Sequence, residues 1–491
     1  MADKGTIYLV CQGRPDNRRT HVPYGILYVG QALRQAGYRV RLFHLFEDRE
    51  RPLLEAIRES RPLFVGFSNF LSPLLEYDIR LSQKVHALGV PVVWGGVYST
   101  VCPEIVLAAD YVDYIVMGEG EATAPLLAEA LRNRVLPEGM VGVGYKQQGE
   151  RVITPHQASA QELDRMAPAW DLIDLESYRT SIPGTDIPNF AFFLSRGCPF
   201  HCTFCYNQAD PERSHWRIHS PDYVREQLGY LQKRLRLRAV SLLGDNPFAY
   251  SQKGQESIQA VAELGLRWAS VARVETVGKE FTAWAQQAGA WWLGFGIESG
   301  SERILRMMRK GFNLNQARHC FECLAPTGIS LEANWMFFLP DETEQDRQLS
   351  YALMNELYRL NPNSYFTHTW FRPYPRTPLW QRCLELGWKP PGNNEEWAAC
   401  SADKSYAPFS PWSAGQSNRL AWALIALYRY PAKAPGFGPL TRKVLQWRLR
   451  EGSFRLPLED VAVALLRKAR AYRSRSHRSS QGRSLIQRPG G

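Results

Sequence analysis

The chain has 491 residues, 45% of them hydrophobic and 22% charged, with a formal net charge of +11. That length exceeds what one hydrophobic core supports and points to two or three domains. The longest apolar run, Leu420 to Tyr428, falls far short of the roughly 18 residues a bilayer span needs, and Met1 to Val10 lacks the charged-then-apolar pattern of a secretory signal, so a cytoplasmic protein, at most peripheral to a membrane, is expected.

The first part of the chain alternates strand and helix patterns. Ile7 to Cys11, Val40 to Leu45, Leu63 to Ser68, Val90 to Trp94 and Tyr111 to Met117 read as strands. Tyr24 to Ala36, ended by Gly37, and stretches near 51–60, 73–88 and 121–132 read as helices. This rhythm predicts an α/β domain over residues 1–138, a doubly wound parallel sheet covered on both faces. Such sheets bind ligands at the carboxyl ends of their strands. Here those ends read Gln12-Gly13-Arg14-Pro15, Gly66-Phe67-Ser68-Asn69, Gly95-Gly96-Val97-Tyr98-Ser99 and Gly118-Glu119-Gly120-Glu121. A glycine there serves either a tight strand-to-helix turn or the close approach of a ligand to the backbone. Four at one edge favour a ligand.

Residues 139–188, punctuated by Pro155, Pro168 and Pro183, read as an irregular linker. Strand and helix then alternate again over 189–385. The strands are Ala191 to Ser195, Ala239 to Leu243, Trp268 to Ala272, Trp292 to Ile297, Leu331 to Leu339 and Tyr365 to Phe371. Helices are expected near 222–235, 254–264, 280–289, 313–325 and 344–359. Six such units predict a partial (β/α)6 barrel whose active site lies at the C-terminal strand ends. Residues 386–472 read as a helical C-terminal extension with an amphipathic helix at Val461 to Ala469, and 473–491 as a basic, solvated tail. The cations Arg467, Lys468, Arg470, Arg473, Arg475, Arg478, Arg483 and Arg488 crowd this end, yet no nucleic-acid partner is expected.

The nine cysteines are odd in number and scattered, which argues against a disulfide framework. Three of them fall in Ser195-Arg196-Gly197-Cys198-Pro199-Phe200-His201-Cys202-Thr203-Phe204-Cys205, spaced C-x3-C-x2-C after a strand. Three thiolates in one short loop suit an iron–sulfur cluster with one iron left open. A zinc site completed by His201 or His215, or three cysteines grouped by chance, are the competing readings. Cys320 and Cys323 form a C-x2-C in a probable helix and read as inert; Cys11 and Cys102 read as core.

The loop, with Phe204 as the aromatic of C-x3-C-x-aromatic-C, resembles the signature of radical SAM enzymes. The resemblance implies a 4Fe-4S cluster on Cys198, Cys202 and Cys205, with S-adenosylmethionine chelating the open iron. It also implies an external one-electron reductant such as flavodoxin or ferredoxin, and cleavage of SAM to a 5′-deoxyadenosyl radical that abstracts hydrogen from a small-molecule or peptide substrate. Phe204 would pack near the adenine. Asp245, ending the second barrel strand, would meet the SAM amino group. Arg273, ending the third, and Glu298, in a stretch similar to the family's G-x-E-x-G, would meet its carboxylate or ribose. Leu339-Pro340-Asp341-Glu342-Thr343 resembles G-L-P-G-E-T, with Phe338 and Asp341 replacing the glycines.

The first domain resembles the cobalamin-binding domain fused to one radical SAM subclass. The resemblance rests on Pro23-Tyr24-Gly25, Gly66-Phe67-Ser68, Gly95-Gly96 and Gly118-Glu119-Gly120-Glu121-Ala122-Thr123. It implies cobalamin contacts at Tyr24, Gly25, Ser68, Asn69, Gly95, Gly96, Gly118, Glu119 and Gly120. The D-x-H-x-x-G motif is absent, so the cobalt would take no histidine from it. Methylation of an unactivated carbon or phosphorus centre is the expected reaction. Two alternatives are oxidative cyclisation or rearrangement of a tetrapyrrole, lipid or natural product, and a non-enzymatic cobalamin or iron–sulfur sensor.

Overall fold

The computed structural model describes residues 4–13, 21–45, 50–156 and 162–402, together with 420, 447 and 448. Arg14-Pro15, the helix expected at Val461 to Ala469 and the basic tail lie outside these residues.

The first sheet takes the order β2-β1-β3-β4-β5-β6-β7. Its strands are β1 (Thr6–Gln12), β2 (Arg39–Leu45), β3 (Val65–Ser68), β4 (Val92–Gly95), β5 (Tyr114–Val116), β6 (Val143–Gln147) and β7 (Glu150–Ile153). The first five pair in parallel, with Val10 opposite Phe43 of β2 and Phe67 of β3. Strand order reverses between β1 and β3, the switch point at which doubly wound sheets open a crevice. Short apolar strands such as Val92–Gly95 are buried on both faces, as parallel strands are.

The expected linker is corrected here. β6 and β7 form an antiparallel hairpin that extends the sheet, with Ile115 paired to Gly144 and Tyr145 to Val152. Val143 and Tyr145 are buried, and Pro137 and Pro155 flank the hairpin without interrupting it. Farther on, β8 (Thr180–Ser181) pairs with β9 (Pro188–Arg196).

The second sheet runs β10-β9-β11-β12-β13-β14-β15. Its remaining members are β10 (Arg217–Ile218), β11 (Ala239–Gly244), β12 (Arg267–Ala272), β13 (Ala290–Glu298), β14 (Ser330–Phe337) and β15 (Ser364–Trp370). Six of them are parallel; β10 is an antiparallel edge, and the sheet stays open as a partial barrel. Strand β14 shows how its two faces differ. Leu331, Ala333, Trp335 and Phe337 are buried against the outer helices, while Glu332 and Asn334 alternate onto the lumen side.

The two halves share a core. Val22, Tyr24, Leu27 and Tyr28, around the helix Tyr24–Gln35, pack in the same apolar cluster as Phe190 and Phe192 of β9. The Tyr24 hydroxyl donates to the Ala191 carbonyl at 2.8 Å.

Candidate active site

The three cysteines sit on the loop that leaves β9. Its first residue, Gly197, has φ +80°, and a Cβ there would lie 2.2 Å from the His215 carbonyl oxygen, so only glycine fits. The Gly197 N–H donates to Asp245 Oδ2 at 2.8 Å, and the Cys198 N–H to the Arg213 carbonyl at 2.9 Å. Thr203, between Cys202 and Cys205, is held from the other side. Its N–H donates to the Met308 carbonyl at 3.0 Å and its hydroxyl to the Met307 carbonyl at 3.0 Å. Its own carbonyl accepts from the Leu379 N–H at 3.1 Å.

These backbone anchors bring three thiols into one partly sheltered group. Burial pushes the Cys205 thiol up to about 12, with further upward pressure from Cys202, Asp245 and Cys198. Burial raises Cys198 too, again with Cys202 contributing. Three cysteines on one loop fit an iron–sulfur cluster, whose irons are held by cysteine thiolates. Among the described residues no three His, Cys, Asp or Glu side chains are drawn tightly enough for a single ion, and a cuboidal cluster spreads its thiolates wider than one ion does. Arg273 Nη1 lies 3.8 Å from Cys202 Sγ, and its guanidinium stacks 3.9 Å above the Phe200 ring.

The other residues singled out from the sequence fall around this loop. Glu298 ends β13 at φ +68°, and its carboxylate lies 3.5 Å from Lys310 Nζ, both groups buried. Burial raises the Glu298 carboxyl, partly offset by Lys310. Lys310 sits 5.7 Å above the Phe204 ring, which joins Glu298 and Phe204 through one cation. Asp245, expected to meet the SAM amino group, also has partners within the protein. Its oxygens are taken up by the Gly197 N–H and the Tyr206 hydroxyl, with Arg213 3.8 Å away, so it braces the cysteine loop. In the lumen, Glu332 accepts from Tyr365 and Thr367 at 2.7 Å each, and Trp292 donates to Tyr365 at 2.6 Å. Trp292 thus faces the lumen. Cys320 is fully buried; Cys323 is half-buried beside His319.

A cavity of about 630 Å³ separates the first sheet from the cysteine loop. Tyr24, Gly25, Ser68, Gly95, Gly96, Gly118, Glu119 and Gly120 line one wall, and Gly197, Tyr206, Arg213 and Asp245 the other. Gly96, at φ +91°, shows how close this wall is built: a Cβ would lie 2.7 Å from the Asn69 carbonyl oxygen. Asn69 itself is corrected. Its side chain is fully buried, makes no hydrogen bond through either amide atom, and does not line the cavity. The wall presents carbonyls, amides and small hydroxyls beside apolar surface, a donor set that suits a flat macrocycle fringed with amides.

Sequence reasoning missed several residues here. Lys310 and His156 stand in no recognisable pattern, because their partners are set by the fold. Arg196 was legible: a cation inside a buried strand needs an acid partner. It finds Glu121 at 2.7 Å and Glu119 at 3.2 Å. Burial works to raise Glu119, yet Arg217 and Arg196 prevail and hold its carboxyl below the usual range.

A partial parallel barrel whose first strand opens into a three-cysteine loop defines a radical SAM enzyme, and residues 192–354 match the model of the Radical SAM superfamily, to which the chain belongs. Residues 18–128 match the B12 binding domain, which makes it a cobalamin-type member that uses a 4Fe-4S cluster, SAM and cobalamin. An uncharacterized methyltransferase from Pyrococcus horikoshii is 27% identical over 372 residues, 74% of this chain and 79% of its own. The anaerobic magnesium-protoporphyrin IX monomethyl ester cyclase of Rubrivivax gelatinosus is 27% identical over 391 residues, 74% of this chain and 66% of its own. The radical SAM methyltransferase TsrM from Kitasatospora setae, solved with cobalamin and a [4Fe-4S] cluster, shares the fold at a TM-score of 0.63 and 17% identity, over 78% of this chain and 75% of its own. No helix among the described residues is long and apolar enough to cross a membrane.

Proposed function

We propose that this enzyme transfers a methyl group to an unactivated carbon or phosphorus centre of a small-molecule substrate. The observation that carries this is a cavity walled by the B12-type sheet on one side and, on the other, by Gly197, Tyr206, Arg213 and Asp245, which flank and brace the cysteine loop. When bound, the cluster supplies the electron that cleaves SAM, and cobalamin supplies a methyl carrier. Cys198, Cys202 and Cys205 hold the cluster. Arg273 and Glu298, with Lys310, offer a cation and an acid to the carboxylate and amine of SAM, and Phe204 offers an apolar ring. The glycines of the sheet edge let the corrin approach the backbone. The closed polar row of Glu332, Tyr365 and Thr367 shapes the barrel lumen for the substrate. Flavodoxin or ferredoxin delivers the electron in the cytoplasm.

The test is anaerobic reconstitution with iron, sulfide and cobalamin, then dithionite and SAM carrying a deuterated methyl group. Formation of 5′-deoxyadenosine together with label on cobalamin and on product supports the reading. Substrate that loses hydrogens and gains no label supports oxidative cyclisation instead, a second reading favoured by the Rubrivivax cyclase sharing the same 27% identity with this chain. No 5′-deoxyadenosine from a loaded cluster with candidate substrates present would sink both.

A further inference from the structure

The cysteine loop is tied to the B12-type sheet on both flanks. On its N-terminal side, Arg196 ends β9 one residue before Gly197. It meets Glu121 at 2.7 Å and Glu119 at 3.2 Å, while Arg217 of β10 donates to Glu119 at 3.1 Å. These side chains are only 13–24% exposed. On the C-terminal side, His156, just beyond β7, places Nε2 3.2 Å from Asp210 Oδ1, in ion-pair rather than good hydrogen-bond geometry. Asp210 also caps the short turn Pro211–Ser214, whose Arg213 carbonyl receives the Cys198 N–H. Both ties therefore run from residues lining the cavity to the backbone that positions a cysteine.

A buried Arg–Glu pair that loses one partner leaves the other uncompensated, so the Arg196 tie holds its two walls in register, and the close approach of His156 to Asp210 joins the same two walls. Glu119 pairs with Arg196 and Arg217, and His156 with Asp210, rather than with a thiol. We infer that Glu119 and His156 are positioning residues: two interdomain latches through which the wall that receives cobalamin sets the geometry of the cluster loop. The inference rests on the reading that this loop holds the cluster and this cavity the cobalamin.

The experiment uses the full-length reconstituted protein and the probes SAM and hydroxocobalamin. Glu119→Gln and His156→Gln are compared with wild type and with Glu129→Gln, whose ion pairs to Lys4 and Arg132 lie at the surface away from the cavity. Readouts are iron content, the electron paramagnetic resonance spectrum of the reduced, SAM-bound cluster, and cobalamin affinity by absorbance. Each latch variant is expected to shift the cluster spectrum, lower iron affinity about 10- to 100-fold, the usual effect of removing an outer partner of a metal site, and weaken cobalamin binding. Glu129→Gln is expected to change neither, and Glu119→Asp, which keeps the charge, to restore the spectrum in part. His156→Gln leaves no bare buried cation, so it decides the matter if Glu119→Gln does not fold. Latch variants that fold, load iron fully and give the wild-type spectrum and affinity would overturn the inference. A wild-type protein that takes up neither cluster nor cobalamin would instead overturn the reading on which it rests.

Discussion

At the scale of single residues, Gly197 and Glu298 carry the sharpest consequences. Gly197→Ala places a methyl group 2.2 Å from a carbonyl oxygen at a left-handed φ. The backbone strain alone costs about 1–3 kcal/mol, and the clash adds to it. The variant is expected to bind little iron after reconstitution, measured against a melting temperature that falls by several degrees. Glu298→Gln leaves Lys310 buried without its anion and is expected to cost about 3–5 kcal/mol in chemical denaturation, while Lys310→Met together with Glu298→Gln recovers part of it. Asp78 supplies a pH dependence. Burial raises its carboxyl to about 8, above the ordinary value, with the polar side chains of Asn69 and Gln12 opposing the rise. The folded state therefore keeps this proton where the unfolded chain has lost it. Stability from this group is fullest below about pH 4 and drains away as pH rises toward 8. The melting temperature of wild type should fall more steeply over that window than that of Asp78→Asn; equal slopes would refute the assignment.

At the scale of elements, the sequence announced most strands and helices to within a few residues. The cysteine loop was legible because its three ligands and its glycine are local. The hairpin β6–β7 was not. Its nearby prolines and glycines resemble those of a linker, and only pairing to β5 shows that Val143 and Tyr145 are core. Long-range partners were hidden for the same reason: Glu119 and Arg217 stand 98 residues apart and nothing in either segment points to the other. The hairpin yields its own prediction. A Cβ at Gly144 would lie 2.6 Å from Ile115 Cγ1, so Gly144→Val should loosen the β5–β6 pairing and speed hydrogen exchange in both strands, with β2 unaffected.

At the scale of the whole molecule, the shared core decides what can be separated. Tyr24, Leu27 and Tyr28 bury their rings and side chains among barrel residues. A chain beginning at residue 162 would expose that apolar patch. It is expected to elute as aggregate in size-exclusion chromatography, whereas the intact chain elutes as a defined species.

The anchoring of the cysteine loop also bears on how the protein is made. Thr203 is pinned by carbonyls 104 and 105 residues downstream and by the amide of Leu379. None of those partners exists while the cysteines are first leaving the ribosome. The thiols emerge as an open, unshaped segment and gain their final arrangement only after the last barrel strand has followed. A nascent chain that stops short of Leu379 therefore lacks part of what shapes the cysteine loop.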